Sequence, residues 1–227
     1  MMRNELDVQL NALAAELSHM GEQTQTAIAR CIEAISRADA SLAREVMKAD
    51  DVVDHQEREI EERCMRLLLR QQPVASDLRY VSAALKMVTD MERIADQAAD
   101  ICEVLTMIQG RTLLPLRAIF ISMGDLTQHM QQDALAAFGA RDLEQARRVI
   151  AQDDEVDALF ERAKRELIAI FAQEKDAEIA LDMLMIAKYF ERMGDHAVNI
   201  AEWVEYAITG SRSKNGAPYV PAERSER

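Results

Sequence analysis

Met91-Glu92-Arg93-Ile94-Ala95-Asp96-Gln97-Ala98-Ala99-Asp100 is repeated 99 residues further on as Phe190-Glu191-Arg192-Met193-Gly194-Asp195-His196-Ala197-Val198-Asn199. Both copies read Glu-Arg-apolar-small-Asp-x-Ala-x-Asp/Asn, with an acid or amide at every fourth position. On a helix, positions i, i+4 and i+8 drift by only about 40° per step, so each trio forms one polar ridge. Stepping outward by sevens, Leu78, Leu85, Glu92 and Ala99 share one position, and Val81, Val88, Ala95 and Cys102 another. The second copy gives Leu184, Glu191 and Val198 beside Ala187, Gly194 and Ala201. The spacing predicts two long amphipathic helices, each with a glutamate on an otherwise apolar or small seam. An unpaired buried carboxylate is costly, so each glutamate calls for a cation, a metal, or water at an open groove. Ala95 and Gly194, one turn away, are small enough to leave room for one.

Outward from these stretches the chain keeps helical periodicity. Leu6, Leu10, Leu13, Leu17, Met20, Thr24, Ile28, Cys31 and Ile35 predict a first helix from about Glu5 to Arg37. Asp39 suits the N-cap of a second, carrying Leu42, Val46, Val53, Ile60, Cys64 and Leu67 and ending at Gln71-Gln72-Pro73. Ser76 is the expected cap of a third, which runs through the opening stretch to about Gln109, with Gly110 and Pro115 marking the boundary. The programme then restarts: a helix from about Leu116, stopped at Gly139; a fifth capped by Asp142 and running to about Gln173; a sixth from about Asp176 to Thr209. Asp39, Arg44, Val46, Asp50, Asp51, Val53 and Asp54 map onto Asp142, Arg147, Val149, Asp153, Asp154, Val156 and Asp157 at an offset of 103. The expected architecture is all-α: two tandem three-helix bundles of long, spectrin-like helices related by internal pseudo-symmetry. Residues 1–110 form the first repeat and 111–209 the second, and a tail over 210–227 is too polar to pack.

Composition bounds the function. With 49% hydrophobic and 30% charged residues but only 7 glycines and 4 prolines, the 227-residue chain suits long helices. A net charge of −13 argues against nucleic acid as a partner and favours metal cations or basic patches on proteins. Cys31, Cys64 and Cys102 are odd in number and widely spaced, which suits small apolar fillers in a reducing cytoplasm. The N-terminus lacks the apolar stretch of a signal peptide, and no run approaches the ~18 apolar residues of a membrane span. The expectation is a cytoplasmic protein with no direct membrane insertion.

Each repeat carries two acidic clusters: Asp50, Asp51 and Asp54 with Glu92, Asp96 and Asp100, then Asp153, Asp154 and Asp157 with Glu191 and Asp195. Carboxylates without cysteine suit hard or borderline cations such as magnesium, manganese or iron. Ordinary helix electrostatics is the alternative, since Arg58, Arg66, Arg93 and Arg192 could pair with the same acids. Both readings stand on sequence alone, because the vertical register of neighbouring helices is not fixed. A catalytic reading, a metal-dependent oxidase or hydrolase in a carboxylate-lined bundle, lacks the Glu-x-x-His spacing of di-iron bundles: His196 follows Glu191 at i+5. No nucleophile elbow, P-loop or dinucleotide fingerprint occurs, and no catalytic residue is assigned. His196 reads as structural or partner-facing, the 13 methionines as core filler, and Trp203 and Tyr206 as core or interface anchors.

The two Glu-Arg stretches, the Asp50/Asp54 and Asp153/Asp157 pairs and the segment Gln71-Gln72-Pro73-Val74-Ala75-Ser76-Asp77-Leu78-Arg79 together resemble the PhoU family, over about Glu5 to Thr209. The resemblance implies a cytoplasmic, homodimeric negative regulator of phosphate uptake and of the phosphate-starvation regulon. Its implied partners are the ATP-binding subunit of the phosphate ABC transporter and a phosphate-sensing histidine kinase. It also implies a divalent or trivalent metal (iron, manganese, magnesium or zinc) on Glu/Asp-xxx-Asp motifs. By position these are Asp50, Asp54, Glu92, Asp96 and Asp100, then Asp153, Asp157, Glu191, Asp195 and Asn199. Asn199 departs from the acidic pattern, so the second site is expected to bind more weakly.

Overall fold

The computed structural model describes residues 2–108, 116–171 and 177–212. They form helices α1 (Met2–Arg37), α2 (Ala40–Gln71), α3 (Ala75–Met107), α4 (Arg117–Ala140), α5 (Leu143–Ala151), α6 (Asp153–Phe171) and α7 (Ala177–Thr209), with no strand among the described residues. The expected boundary at Gly110 and Pro115, the junction at Gln173–Asp176, and the tail beyond Arg212 lie outside the described residues.

Local chemistry sets the ends of the helices. Asp39 accepts hydrogen bonds from the backbone N–H of Ser41 (2.8 Å) and Leu42 (3.1 Å), which opens α2. Asp142 accepts from Gln145 N–H at 3.0 Å and opens α5. The preceding helices close alike, with Ala38 and Arg141 left-handed at φ 51° and 54°. The N–H groups of Asp39 and Asp142 then return to Ala34 O (3.0 Å) and Ala137 O (2.9 Å). Gly139 is therefore not the stop expected for α4; the helix runs through it and turns at Arg141. Nor does Ser76 cap α3. The N-cap position falls on Val74, which has no capping side chain, and Pro73 just before it ends the reversal after a left-handed Gln72 (φ 45°). The expected fifth helix is two, because at Gln152, itself still right-handed, the hydrogen bonds tighten to three-residue turns (Gln152 N–H to Val149 O and Glu155 N–H to Gln152 O, 3.0 Å each) directly before Asp153. The matching position of the first repeat, Ala49, lies within an unbroken helix.

Apolar stripes pack α1, α2 and α3 together, and α4 with α5, α6 and α7. The two repeats then join along two antiparallel seams, α3 against α7 and α1 against α4. On the first seam Asn199 Nδ2 donates to Asp90 Oδ1 (3.2 Å) and the Tyr189 phenol donates to Asp100. At the offset of 99 Asp90 corresponds to Tyr189 and Asp100 to Asn199, so these two contacts are images of each other about a pseudo-twofold axis. On the second seam Gly124 lets Ile32 and Phe190 close in; a Cβ there would lie 2.6 Å from Ile32 Cγ1. Leu13, Met20, Ile28, Ile35, Met91 and Phe120 are among the fully buried side chains of one continuous core. All three cysteines are buried and free, with Cys31 against Cys102. No described helix is long and apolar enough to cross a membrane.

Candidate metal centre

The register between α2 and α3 brings acids together. Carboxylate oxygens of Asp50, Asp54 and Asp96 lie within 4.8 Å of one another, and each residue is half-buried. Glu92 flanks them with a side chain 12% exposed. Two carboxylate oxygens of this group, Asp54 Oδ1 and Glu92 Oε2, are buried without a hydrogen-bond donor. Desolvation, then the neighbouring Asp96 and Asp54, push the Asp50 carboxyl up to about 7. Desolvation and Asp96 likewise push Glu92 up to about 7, against the opposing pull of Arg93. Three converging oxygens, in a group where Asp54 Oδ1 and Glu92 Oε2 lack donors, fit a hard or borderline cation, since a metal supplies the positive charge that the donor set lacks. Asp50, Asp54 and Asp96 would hold it, with Glu92 adjacent. When bound, such an ion would cross-link α2 to α3 and displace protons from the cluster.

Part of the charge is met by arginines, as ordinary helix electrostatics would have it. Arg93 reaches Asp96 Oδ2 (2.9 Å) and approaches Glu92 Oε2 (3.3 Å), and Arg58 sits 3.7 Å from Asp54 Oδ2. Arg66 instead pairs with Glu62 at 3.1 Å. Arg93 is 52% exposed and Arg58 67%, so water screens both pairs and leaves the cluster under-compensated.

The second repeat is built differently. Asp153 is pushed up to about 6 by desolvation and by Asp195, Asp157, Asp154 and Glu191, so these acids are neighbours. Yet Asp157 and Asp195 are exposed where their counterparts Asp54 and Asp96 are half-buried. Glu191 pairs with Lys188, whereas the matching residue of the first repeat is Thr89. Asn199 is committed to Asp90 and, through Oδ1, to Arg212 Nη2 at 3.0 Å. Only the first-repeat trio, among the described residues, brings three ligand oxygens within mutual reach. Asp100 stands apart from it, raised above the usual carboxylate range by burial and by Asp96 and Glu103, and held by Tyr189 and Arg192.

Two expectations about the seam change. Leu78 is 43% exposed and Leu85, Glu92 and Ala99 are half-buried, so this line is the flank of α3, while Val81, Val88, Ala95 and Cys102 form its core line. The room beside Gly194 is taken by the Val156 methyls, 3.2 and 3.3 Å from where a Cβ would stand, so the small residue serves helix approach rather than a cation. Sequence reasoning also missed Asp90, whose Oδ1 lies 2.9 Å from His196 Nδ1 and makes that histidine a structural tie between α3 and α7. The signal was available in the offset that pairs Asp90 with Tyr189. Arg212 was missed because it falls in the stretch expected to be unpacked.

The PhoU domain model matches residues 17–105 and again 120–204. The phosphate-specific transport system accessory protein PhoU homolog of Clostridium acetobutylicum is 36% identical over 214 residues, spanning 93% of this chain and 98% of that protein. The homolog of Caulobacter vibrioides is 35% identical over 212 residues, covering 92% of each. The crystal structure of PhoU from Pseudomonas aeruginosa superimposes with a TM-score of 0.85 at 33% identity, covering 90% of this chain and 99% of that one. The phosphate transport system regulatory protein PhoU from Streptococcus pneumoniae, at 24% identity and a TM-score of 0.86, shares the fold over 92% of this chain and 99% of its own. Each half matches the same domain, and the shared sequence runs nearly end to end: the chain belongs to the PhoU family.

Proposed function

We propose that this chain is a cytoplasmic, dimeric regulator of phosphate uptake and of the phosphate-starvation response. It acts as an adaptor between the ATP-binding subunit of a phosphate ABC transporter and a phosphate-sensing histidine kinase. The observation that carries the reading is the double PhoU match, with relatives named as accessory proteins of phosphate-specific transport along nearly their whole length. The role is regulation rather than turnover: docking biases the signalling states of its partners by differential affinity. The first-repeat cluster supports a metal in this role. A cation on Asp50, Asp54 and Asp96 would offset the burial and the mutual repulsion that raise Asp50 and Glu92, and would stiffen the α2–α3 face offered to a partner.

The test is binding of the purified chain to the kinase's cytoplasmic portion and to the transporter ATPase. It is run in chelator and again with manganese restored, with bound metal counted by elemental analysis. Saturable binding that strengthens with manganese is the expected result. Binding indifferent to chelator would remove the metal from the mechanism. Binding to neither partner under either condition would overturn the adaptor.

A further inference from the structure

Beyond the end of α7 the chain turns at Gly210 (φ 80°) and lays Arg212 back over the helix. The Arg212 guanidinium carbon sits 4.3 Å from the Trp203 ring centroid. Arg212 Nε donates to Glu202 Oε2 at 2.7 Å, Nη2 lies 2.7 Å from the same oxygen, and Nη2 also donates to Asn199 Oδ1 at 3.0 Å. Tyr206 closes the floor, its ring edge-on to Trp203 at 5.7 Å and 88°. A flat aromatic face, a carboxylate and an amide oxygen make the set that selects a planar guanidinium over an ammonium.

Three features show a built receptor rather than a surface contact. The Glu202 side chain is only 7% exposed, and a carboxylate so buried requires a cation beside it. The first repeat keeps acids at two of these positions, Asp100 and an exposed Glu103, but has Val104 and Met107 where Trp203 and Tyr206 stand, so the aromatic face belongs to the second repeat alone. With Arg212 seated, an open cleft of about 810 Å³ remains beside it, whose described lining includes Asp153 and Asp195 as well as Glu202. Arg212 itself is held by short-range contacts. The Thr209 hydroxyl bonds Ser211 (2.9 and 3.1 Å), and a single glycine carries the turn.

We propose that the Asn199–Glu202–Trp203 pocket receives an arginine side chain from an exposed segment of a partner protein, and that Arg212 holds the place in cis until that arginine displaces it. The inference deepens the adaptor reading by naming the chemistry of one partner contact. The exchange swaps one guanidinium for another and never leaves Glu202 unpaired. The spare acidic volume accommodates the incoming backbone and any flanking basic residue.

Trp203 is the single tryptophan of the chain, so its fluorescence reports on the pocket directly. The probes are the capped tripeptides Gly-Arg-Gly, Gly-Lys-Gly and Gly-citrulline-Gly, titrated in chelator into wild type and Arg212→Ala of the full chain. Helix content is followed by circular dichroism. Vacating the site is expected to change the Trp203 emission, and the arginine peptide to restore it saturably. The expected preference is about tenfold over lysine, and about tenfold tighter binding to Arg212→Ala than to wild type, where the internal arginine competes. Arg212→Gln, which keeps a side-chain amide beside Asn199, serves if the alanine variant loses helix content. Adding Glu202→Gln to either variant is expected to abolish the preference. Equal response to arginine and lysine, unchanged emission on removing Arg212, or no binding to a folded variant would each overturn the proposal. If the arginine peptide binds as expected but neither kinase nor transporter ATPase does, the adaptor reading falls and the arginine site stands.

Discussion

Asp50→Asn in metal-free protein tests the electrostatics of the α2–α3 cluster most directly. The Asp50 carboxyl stands at about 7 in the folded chain against an ordinary 3.8. That difference corresponds to ~4 kcal/mol of unfavourable desolvation and repulsion at full burial. Asp50 is only half-buried, so screening by water reduces it to about 1–2 kcal/mol. The sign follows from proton counting. Between pH 4 and 7, approximately, the folded chain holds a proton at Asp50 that the unfolded chain has released, so stability falls as pH rises through that window. Glu92, also raised to about 7, adds to the same slope. In chelator at pH 7.5, Asp50→Asn is therefore expected to be more stable than wild type by about 1–2 kcal/mol, or roughly 3–6 °C in Tm for a chain of this size. The advantage shrinks toward pH 4.5. Restoring manganese is expected to raise the wild-type Tm and to do less for the variant, which has lost a ligand. Thermal melts by circular dichroism across pH, with and without chelator, provide the measurement. A variant less stable than wild type in chelator at pH 7.5, or a flat wild-type profile, would refute the reasoning.

Glycine substitutions in α4 should separate helix propensity from packing. Gly139→Ala meets nothing within 4 Å and is expected to stabilise by about 0.5–1 kcal/mol. Gly124→Ala would place a Cβ 2.6 Å from Ile32 and 3.1 Å from Phe190, and is expected to destabilise by about 1 kcal/mol or more despite the same propensity gain; paired urea melts decide both. Asp39→Ala removes two capping bonds from α2 and is expected to cost about 1 kcal/mol, with Asp39→Ser recovering most of it. Arg63→Ala breaks the fork to Glu16, whose two contacts are 2.5 Å each, and the bond to Gln9. At 27% and 36% exposure the pair is worth about 1 kcal/mol, and hydrogen exchange should show α1 loosening from α2.

The core was legible because helical spacing is a statement about one face. Val46, Val53, Ile60, Val81 and Val88, read as stripes, are all buried. Asp39 and Asp142 were legible because capping is local chemistry. The end of α2 before Pro73 was legible as well, but the end of α4 at Arg141 was not, since a non-glycine residue in the left-handed region is imposed by how the next helix must return. The break at Gln152 was hidden for a related reason: an apolar stripe continues through Val149 and Val156 on either side of it. At the candidate site, the sequence supplied the acids but not the height of α2 against α3. That register decides that Asp50, Asp54 and Asp96 converge while Asp100 turns to Tyr189. Asn199 announced itself as a departure from the acidic pattern, yet its two partners, Asp90 and Arg212, lie on a different helix and beyond the last one.

The α3–α7 seam has a consequence for ancestry. A chain of one repeat could cover these same helix faces only by pairing with its own copy about a true twofold axis, each helix meeting itself antiparallel. In such an assembly any substitution appears twice, and every change on one side is forced on the other. Joining two copies end to end lifts that constraint. Position by position the halves then part company: Thr89 against Lys188, Asp100 against Asn199, Val104 against Trp203. One half keeps an under-compensated cluster of acids; the other acquires its own cations. A single chain of two repeats thus presents two different surfaces where a symmetric pair would present the same one twice.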